Sequence, residues 1–199
     1  MLPMLMVADI FAVAYFRRRA HWHSLRRLIL PTLVGIFIGF LILKAVPSAH
    51  VNRLIASIVL ALLLVQVLRD FGLLAGDHVP HQWWFAWTIG LFAGLATMLA
   101  NAAGPITVIF FLAVGLEKVE FMGTAAWFYL IFNWVKVPLQ LNLSLITRQT
   151  LLVDALLIPA ILAGALLGLL ALHRIPQKKF HYLVIALAAL AAFHLLITG

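Results

Sequence analysis

The sequence predicts an all-α integral membrane protein, a polytopic helical bundle of about six spanning helices and one broken re-entrant hairpin. Three observations support this prediction. The 199 residues are 65% hydrophobic and only 10% charged, whereas soluble domains are about half apolar and about a quarter charged. Apolar runs of spanning length recur along the chain. One of these runs is interrupted at its centre, and broken backbone at membrane depth requires protein or a water-filled cavity around it.

The first half of the chain supplies three predicted helices. The segment 2–16 is apolar but marginal for spanning, because about 20 residues are normally needed. A basic loop at 17–27 then leads to full spans at 28–46 and 51–68, and a polar loop follows the second of them.

The second half begins with the interrupted run 83–116. Three tryptophans near its start indicate an interfacial aromatic belt. A charged turn at 117–120 follows, and further spans are predicted at 121–141, 151–172 and 180–197.

The interruption lies at residues 101–105. Pro105 opposes helix continuation, Gly104 is flexible and Asn101 can cap a new helix start. A half-helix starting around Gly104 to Thr107 would present free N–H groups and a positive dipole end, which favour an anion. Asn101 either caps this helix or donates its amide to the substrate. The alternative is a proline kink packed against its neighbours.

Two segments of the chain repeat. Pro31, Gly35, Gly39 and Pro47 recur as Pro159, Gly164, Gly168 and Pro176, with identical spacing from the first glycine to the last proline. This pattern predicts a duplication, with residues 1–70 as a first, incomplete repeat, 71–82 as a connecting loop and 83–199 as a second repeat containing the broken hairpin.

Charge indicates how the chain is oriented. The net charge of +8 is better explained by cytoplasmic loops rich in Lys and Arg than by nucleic-acid binding. If 83–116 enters and leaves on one side, that side holds ten Lys and Arg, against Lys44, Arg53 and Arg148 on the other. If 83–116 instead crosses the membrane once, the two sides hold seven and six Lys and Arg residues. The positive-inside rule therefore favours the hairpin, which also gives the two repeats inverted topologies, as in many secondary transporters.

Lys136 is the sharpest single candidate for a binding residue, because a lysine within a span is costly and marks a pathway or an ion pair. Asn133 lies one turn before it on the same side of the helix, so the two can present a cation and an amide to an oxyanion. The alternative is that Lys136 snorkels to the interface. Asp9 can pair with Lys136 or accept a proton during transport.

Thr124 and Trp127 lie on the same predicted helix and could wall a cavity, although plain packing explains them equally well. Asp154, the other acid within an apolar run, lies close to a predicted helix start, where it would stabilise the dipole. The chain has no cysteine and no histidine spacing supported by acidic partners, so neither a metal site nor a cofactor is expected.

The chain resembles a known family in several stretches. These are ANAAGPI at 100–106, GLEKVEFMGTAAW at 115–127, NWVKVP at 133–138, and LPMLMVADIFAV at 2–13 with two arginines after it. They are similar to the TauE/SafE family of membrane transporters. The resemblance implies a multi-pass permease of the bacterial inner membrane, with sulfite, sulfonates or related organosulfur anions as substrates.

By the same resemblance, a Gly-rich broken segment equivalent to 83–116 is expected before residue 1 and is missing. Either the start is truncated or misassigned, or a shorter variant works without that segment. A chain lacking one hairpin could also complete itself as a homo-oligomer.

The leading hypothesis is a secondary transporter of a small anion that works by alternating access in the lipid bilayer. The alternative is a non-transporting scaffold subunit or a truncated remnant of such a transporter. An enzyme is not expected, because the polar residues at depth are an amide, an amine and two acids, which suit binding better than bond cleavage.

Overall fold

A computed structural model describes residues 2–45 and 83–198. The predicted span 51–68 and the connecting loop 71–82 lie outside these residues, as do Pro47 and Arg53. In the two described ranges every regular element is a helix: α1 Leu2–Phe16, α2 Trp22–Ala45, α3 Trp83–Ala100, α4 Ala103–Ala113, α5 Lys118–Asn142, α6 Arg148–Arg174 and α7 Gln177–Thr198.

The predicted helices within the described ranges are present, and most begin earlier than expected. α2 starts at Trp22, so the second part of the basic stretch 17–27 is helical rather than loop. α5 starts at Lys118 with Glu117 as its N-cap, so most of the charged turn belongs to the helix. Three of the described helices are long and apolar enough to cross a membrane: Trp22–Ala45, Trp83–Ala100 and Arg148–Leu172. The total number of spans stays a prediction.

One compact unit consists of Met1–Trp22 and Glu117–Phe180, in which α1 packs against both α5 and α6. The α1–α5 pair is antiparallel. Asn133 donates to Asp9 in the middle of α1, whereas the earlier residue Trp127 donates its indole N–H to the carbonyl oxygen of Arg17, just after the end of α1. Gly123 allows the chain after α1 to approach α5 closely. A Cβ there would lie 2.8 Å from the carbonyl carbon of Arg19.

The start of α5 is tied to the corner between α6 and α7. The Lys118 ammonium donates to the carbonyl oxygens of Leu172 and Ile175 at 3.2 and 2.8 Å. Its backbone N–H donates to the side-chain carbonyl of Gln177 at 2.9 Å, and the Phe121 and Phe180 rings meet edge to face at 5.4 Å. A cation at the C-terminal end of a helix satisfies orphan carbonyls and the dipole together.

The other compact unit contains the described residues of the ranges 23–116 and 181–199. Here α2 and α3 run parallel, because contacts advance along both helices in the same direction. Pro31 lies against Gly90, Gly35 against Gly94, and Gly39 against Met98. A Cβ on Gly35 would overlap the Leu91 carbonyl oxygen and lie 3.0 Å from the Gly94 Cα, so the two backbones are in direct contact. Small residues at this spacing permit such an approach.

The run 83–116 folds as a helical hairpin. α3 has 18 residues and α4 only 11. The Phe85 ring, near the start of α3, stacks on Phe110, near the end of α4, with centroids 5.9 Å apart and planes 24° apart. The chain therefore turns back after the interruption.

The repeated glycines differ in their surroundings. Gly35 and Gly39 are packed against α3, whereas the described atoms leave open space around Gly164 and Gly168. The two compact units take segments from both predicted repeats. The division into repeats stays a prediction.

Candidate functional site

The interruption of the hairpin is formed by the end of α3. Asn101 has φ 52°, in the left-handed region, and its N–H donates to the Thr97 carbonyl oxygen at 3.2 Å. The Ala102 N–H returns to the Ala96 carbonyl at 3.1 Å. Asparagine tolerates this backbone conformation better than most non-glycine residues. Asn101 is not the N-cap residue of α4, because that position is occupied by Ala102.

The start of α4 combines backbone donors with a proline in a tolerated place. Pro105 is the third residue of the helix, where its missing N–H removes no intrahelical bond. The buried Thr107 hydroxyl lies within hydrogen-bonding distance of the carbonyl oxygens of Ala103, at 3.1 Å, and Gly104, at 3.0 Å. The hydroxyl of Thr107 therefore donates its proton to a backbone carbonyl oxygen. The donors that an anion would meet are the backbone amides of the first turn of α4.

The unit formed by α1, α5 and α6 brings three predicted residues together. The Asn133 amide donates to the Asp9 carboxylate at 2.6 Å, and the charges of Asp9 and Lys136 attract each other. Asn133 is 5% exposed and Lys136 is fully buried. A carboxylate, an amide and an ammonium group thus form one polar cluster between α1 and α5, in which Asn133 and Lys136 are buried and Asp9 is partly exposed.

The burial of Lys136 bears on the snorkelling alternative. A snorkelling lysine keeps its ammonium in the interface and only its alkyl stem in the apolar region. Lys136 has no exposed surface in this structure. Burial near the opposite charge of Asp9 favours an interaction inside the protein over snorkelling.

Thr124 and Trp127 hold the chain after α1 against α5. The Thr124 hydroxyl accepts the His21 N–H at 2.8 Å and donates to the Glu120 carbonyl oxygen at 2.7 Å. The Trp127 ring lies 5.2 Å from that of Trp22. These contacts agree with a role in packing. That Thr124 and Trp127 form the wall of a substrate cavity stays a prediction.

A cavity of about 590 Å³ opens at this end of α1 and α5. Arg18, Arg19 and Lys118 line it together with Glu117 and Glu120. The Lys118 ammonium is already engaged by α6, so two guanidinium groups face two carboxylates. This near balance of charge gives the cavity little selectivity for anions on its own.

The sequence did not single out this corner as a meeting point of three helices. The only sequence feature that indicated this corner was the positive charge shared by the loop 17–27, Lys118 and the segment 173–179. The structure gathers Arg18, Arg19 and Lys118 around one cavity.

The remaining predicted residues fall into two groups. One group, consisting of Asn101, Gly104, Pro105 and Thr107, belongs to the compact unit that contains α3 and α4. Asp154 is buried, but α6 begins at Arg148, so this carboxylate lies beyond the first turn. The dipole explanation for Asp154 is therefore wrong, since that effect fades within the first turn.

The described residues offer no group of three or more His, Asp or Glu side chains that could hold a metal ion.

The family model for the sulfite exporter TauE/SafE matches residues 1–195. Comparison with curated proteins and with solved structures gives no match.

Proposed function

Because this chain belongs to the TauE/SafE sulfite exporter family of membrane transporters, we propose that it exports a small sulfur-containing anion by alternating access. The substrate class is sulfite, an organic sulfonate or a related organosulfur anion. We propose further that the protein is a multi-pass protein of the bacterial inner membrane built from two inverted repeats, and that it can form homo-oligomers.

The polar cluster of Asp9, Asn133 and Lys136 is the observation that supports this proposal most strongly. Lys136 is fully buried, and its charge is offset by Asp9. An entering oxyanion takes over as partner of the ammonium and also accepts an amide hydrogen bond from Asn133. Asp9 then needs a proton or a cation to remain in the apolar interior, which gives it the role of proton acceptor during transport.

The start of α4, in the other compact unit, is a separate candidate for anion binding. The amides at Ala103, Gly104 and Ile106 carry the positive end of the helix dipole. Asn101, exposed at the turn, adds a side-chain amide. Helix ends of this kind at broken hairpins bind anionic groups in other transporters.

Anion flux through the Lys136→Ala variant tests the proposed role of Lys136 in binding the anion. The 199-residue chain is reconstituted in liposomes, and efflux of labelled sulfite and of a small sulfonate is followed. We expect Lys136→Ala to lower the rate at least about tenfold, because a desolvated charge-assisted contact contributes about 1.5–3 kcal/mol. Lys44→Ala, which removes an exposed lysine at the end of α2, should leave the rate unchanged.

Two results would count against the proposal. Equal flux in the Lys136→Ala and Lys44→Ala proteins would remove Lys136 from the site. No flux from folded wild-type protein, under either substrate gradient, would favour the non-transporting scaffold or remnant.

The variant Asn101→Gly separates a role of Asn101 in the left-handed turn from a role of its side-chain amide in binding the anion. Glycine keeps the left-handed turn at little cost but removes the amide. We expect a several-fold higher KM for the anion and a melting temperature close to that of the wild type, because the amide contact with the substrate is lost while the left-handed turn is kept. A matched substitution, Ser144→Gly, removes the side chain from another left-handed residue and should leave KM unaltered. An unchanged KM in Asn101→Gly would mean that Asn101 serves the turn alone.

A further inference from the structure

We propose that a groove between the second and third turns of α2 and the first turn of α3 binds the headgroup of an anionic phospholipid. The groove has a volume of about 270 Å³. It lies at the N-terminal end of the parallel pair, next to the contact of Pro31 with Gly90.

The charge of the groove fits a phosphodiester. Arg26 and Arg27 line it with exposed side chains. Among the described residues that line it, no other is charged. Guanidinium groups bind phosphate oxygens through paired hydrogen bonds. The cavity near Lys118 differs, because Glu117 and Glu120 oppose its arginines.

The other walls fit the boundary between headgroup and hydrocarbon. Trp83 is 73% exposed and Trp87 is 38% exposed, and both line the groove. Indole rings favour this depth, since their apolar body and N–H group suit the two environments. A soluble anion would gain nothing from these rings.

The surface that continues from the groove fits an acyl chain. Leu30 lines the groove, and Phe37 and Leu41 follow along the same side of α2, all about half exposed or more. The groove is smaller than the 300–1,000 Å³ typical of enclosed small-molecule sites. It therefore takes the polar end of a longer ligand whose chains lie along the helix.

Lipid retention by the purified full chain tests the proposal. The protein is mixed with phosphatidylglycerol and phosphatidylcholine in equal amounts, and bound lipid is counted by native mass spectrometry. We expect retained phosphatidylglycerol and little phosphatidylcholine. The double variant Arg26→Gln/Arg27→Gln should lower the affinity for phosphatidylglycerol about 30-fold, because each basic residue at a membrane surface contributes about fivefold.

A matched double variant, Arg148→Gln/Arg174→Gln, removes the same charge from exposed ends of α6 and should retain the lipid. Trp87→Ala should also weaken retention, whereas Trp134→Ala, which truncates an exposed tryptophan of α5, should not. If the Arg26→Gln/Arg27→Gln variant fails to fold, the comparison of Trp87→Ala with Trp134→Ala tests the proposal. Equal loss in the matched variants, equal retention of phosphatidylcholine, or full displacement by soluble glycerol phosphate would each overturn the proposal.

Discussion

The charge of Lys136 is stabilised by its neighbours rather than by solvent. A lysine with no exposed surface is costly to bury, and the Coulombic attraction of Asp9 repays part of that cost. The Asn133 amide, bonded to Asp9 at 2.6 Å, fixes the carboxylate in position. Asp9 therefore interacts with both Asn133 and Lys136.

Asp9→Asn should destabilise the protein by about 3–5 kcal/mol, because it leaves a buried ammonium without its counter-charge. The double variant Asp9→Asn/Lys136→Gln removes both charges and should recover much of the loss. Thermal unfolding in detergent measures both effects.

The recovery in the double variant is the discriminating result. If Asp9→Asn and Lys136→Gln instead lower the melting temperature additively, the two charges do not interact and the cluster is not an ion pair.

At the residue scale, the sequence could indicate which side chains mattered but not their bonds. Asp9, Asn133 and Lys136 stood out because polar groups are rare in apolar runs. Their contact depends on the antiparallel register of α1 and α5, which no local pattern encodes. Asn101 was misassigned because asparagine suits both a helix N-cap and a left-handed helix end.

Among the helices, the parallel pair α2 and α3 shows how small residues set an interface. Gly35 and Gly94 bring the backbones into contact, and Gly39 meets Met98. Gly164 and Gly168 repeat the same spacing on α6, yet the described atoms leave space around them.

Gly35→Ala should destabilise the protein by about 1–3 kcal/mol, since the new methyl group overlaps the Leu91 carbonyl oxygen and the helices must separate. Gly164→Ala is the matched control and should be neutral or stabilising by up to about 1 kcal/mol, because alanine favours helix. Melting temperatures in one detergent compare the two. A loss at Gly164 as large as that at Gly35 would mean that α6 is equally packed.

At the element scale, α1 and the interruption were predictable because their signals are local. An apolar run followed by arginines ends α1 at Phe16, and an Asn, Gly and Pro cluster breaks the run 83–116. The starts of α2, α5 and α6 were placed too late, because hydropathy marks the apolar part of a helix and not its polar first turns.

For the whole molecule, positive charge gathers at one end of the unit containing α1, α5 and α6. Arg18, Arg19 and Lys118 line one cavity, and Lys118 reaches the corner at Ile175. This is the clustering that the hairpin interpretation requires. Assignment of that end to the cytoplasm stays a prediction.

Cysteine labelling in intact cells measures the orientation directly, and the natural chain has no cysteine to interfere. We expect Arg18→Cys and Glu117→Cys to be protected from an impermeant external reagent, because both lie at the basic end. Arg148→Cys should be labelled, since α6 has 27 residues and spans about 40 Å. Labelling of only one of the Arg18→Cys and Glu117→Cys variants would contradict the prediction that 83–116 enters and leaves on one side of the membrane.

The contact of Lys118 with the end of α6 sets how that helix can move. Three hydrogen bonds tie the start of α5 to Leu172, Ile175 and Gln177, so sliding at that corner breaks all of them, whereas tilting strains them little. We therefore expect α6 to tilt about this corner rather than slide along it. A tilt of about 10° there would displace the far end of α6 by about 7 Å over its length of about 40 Å.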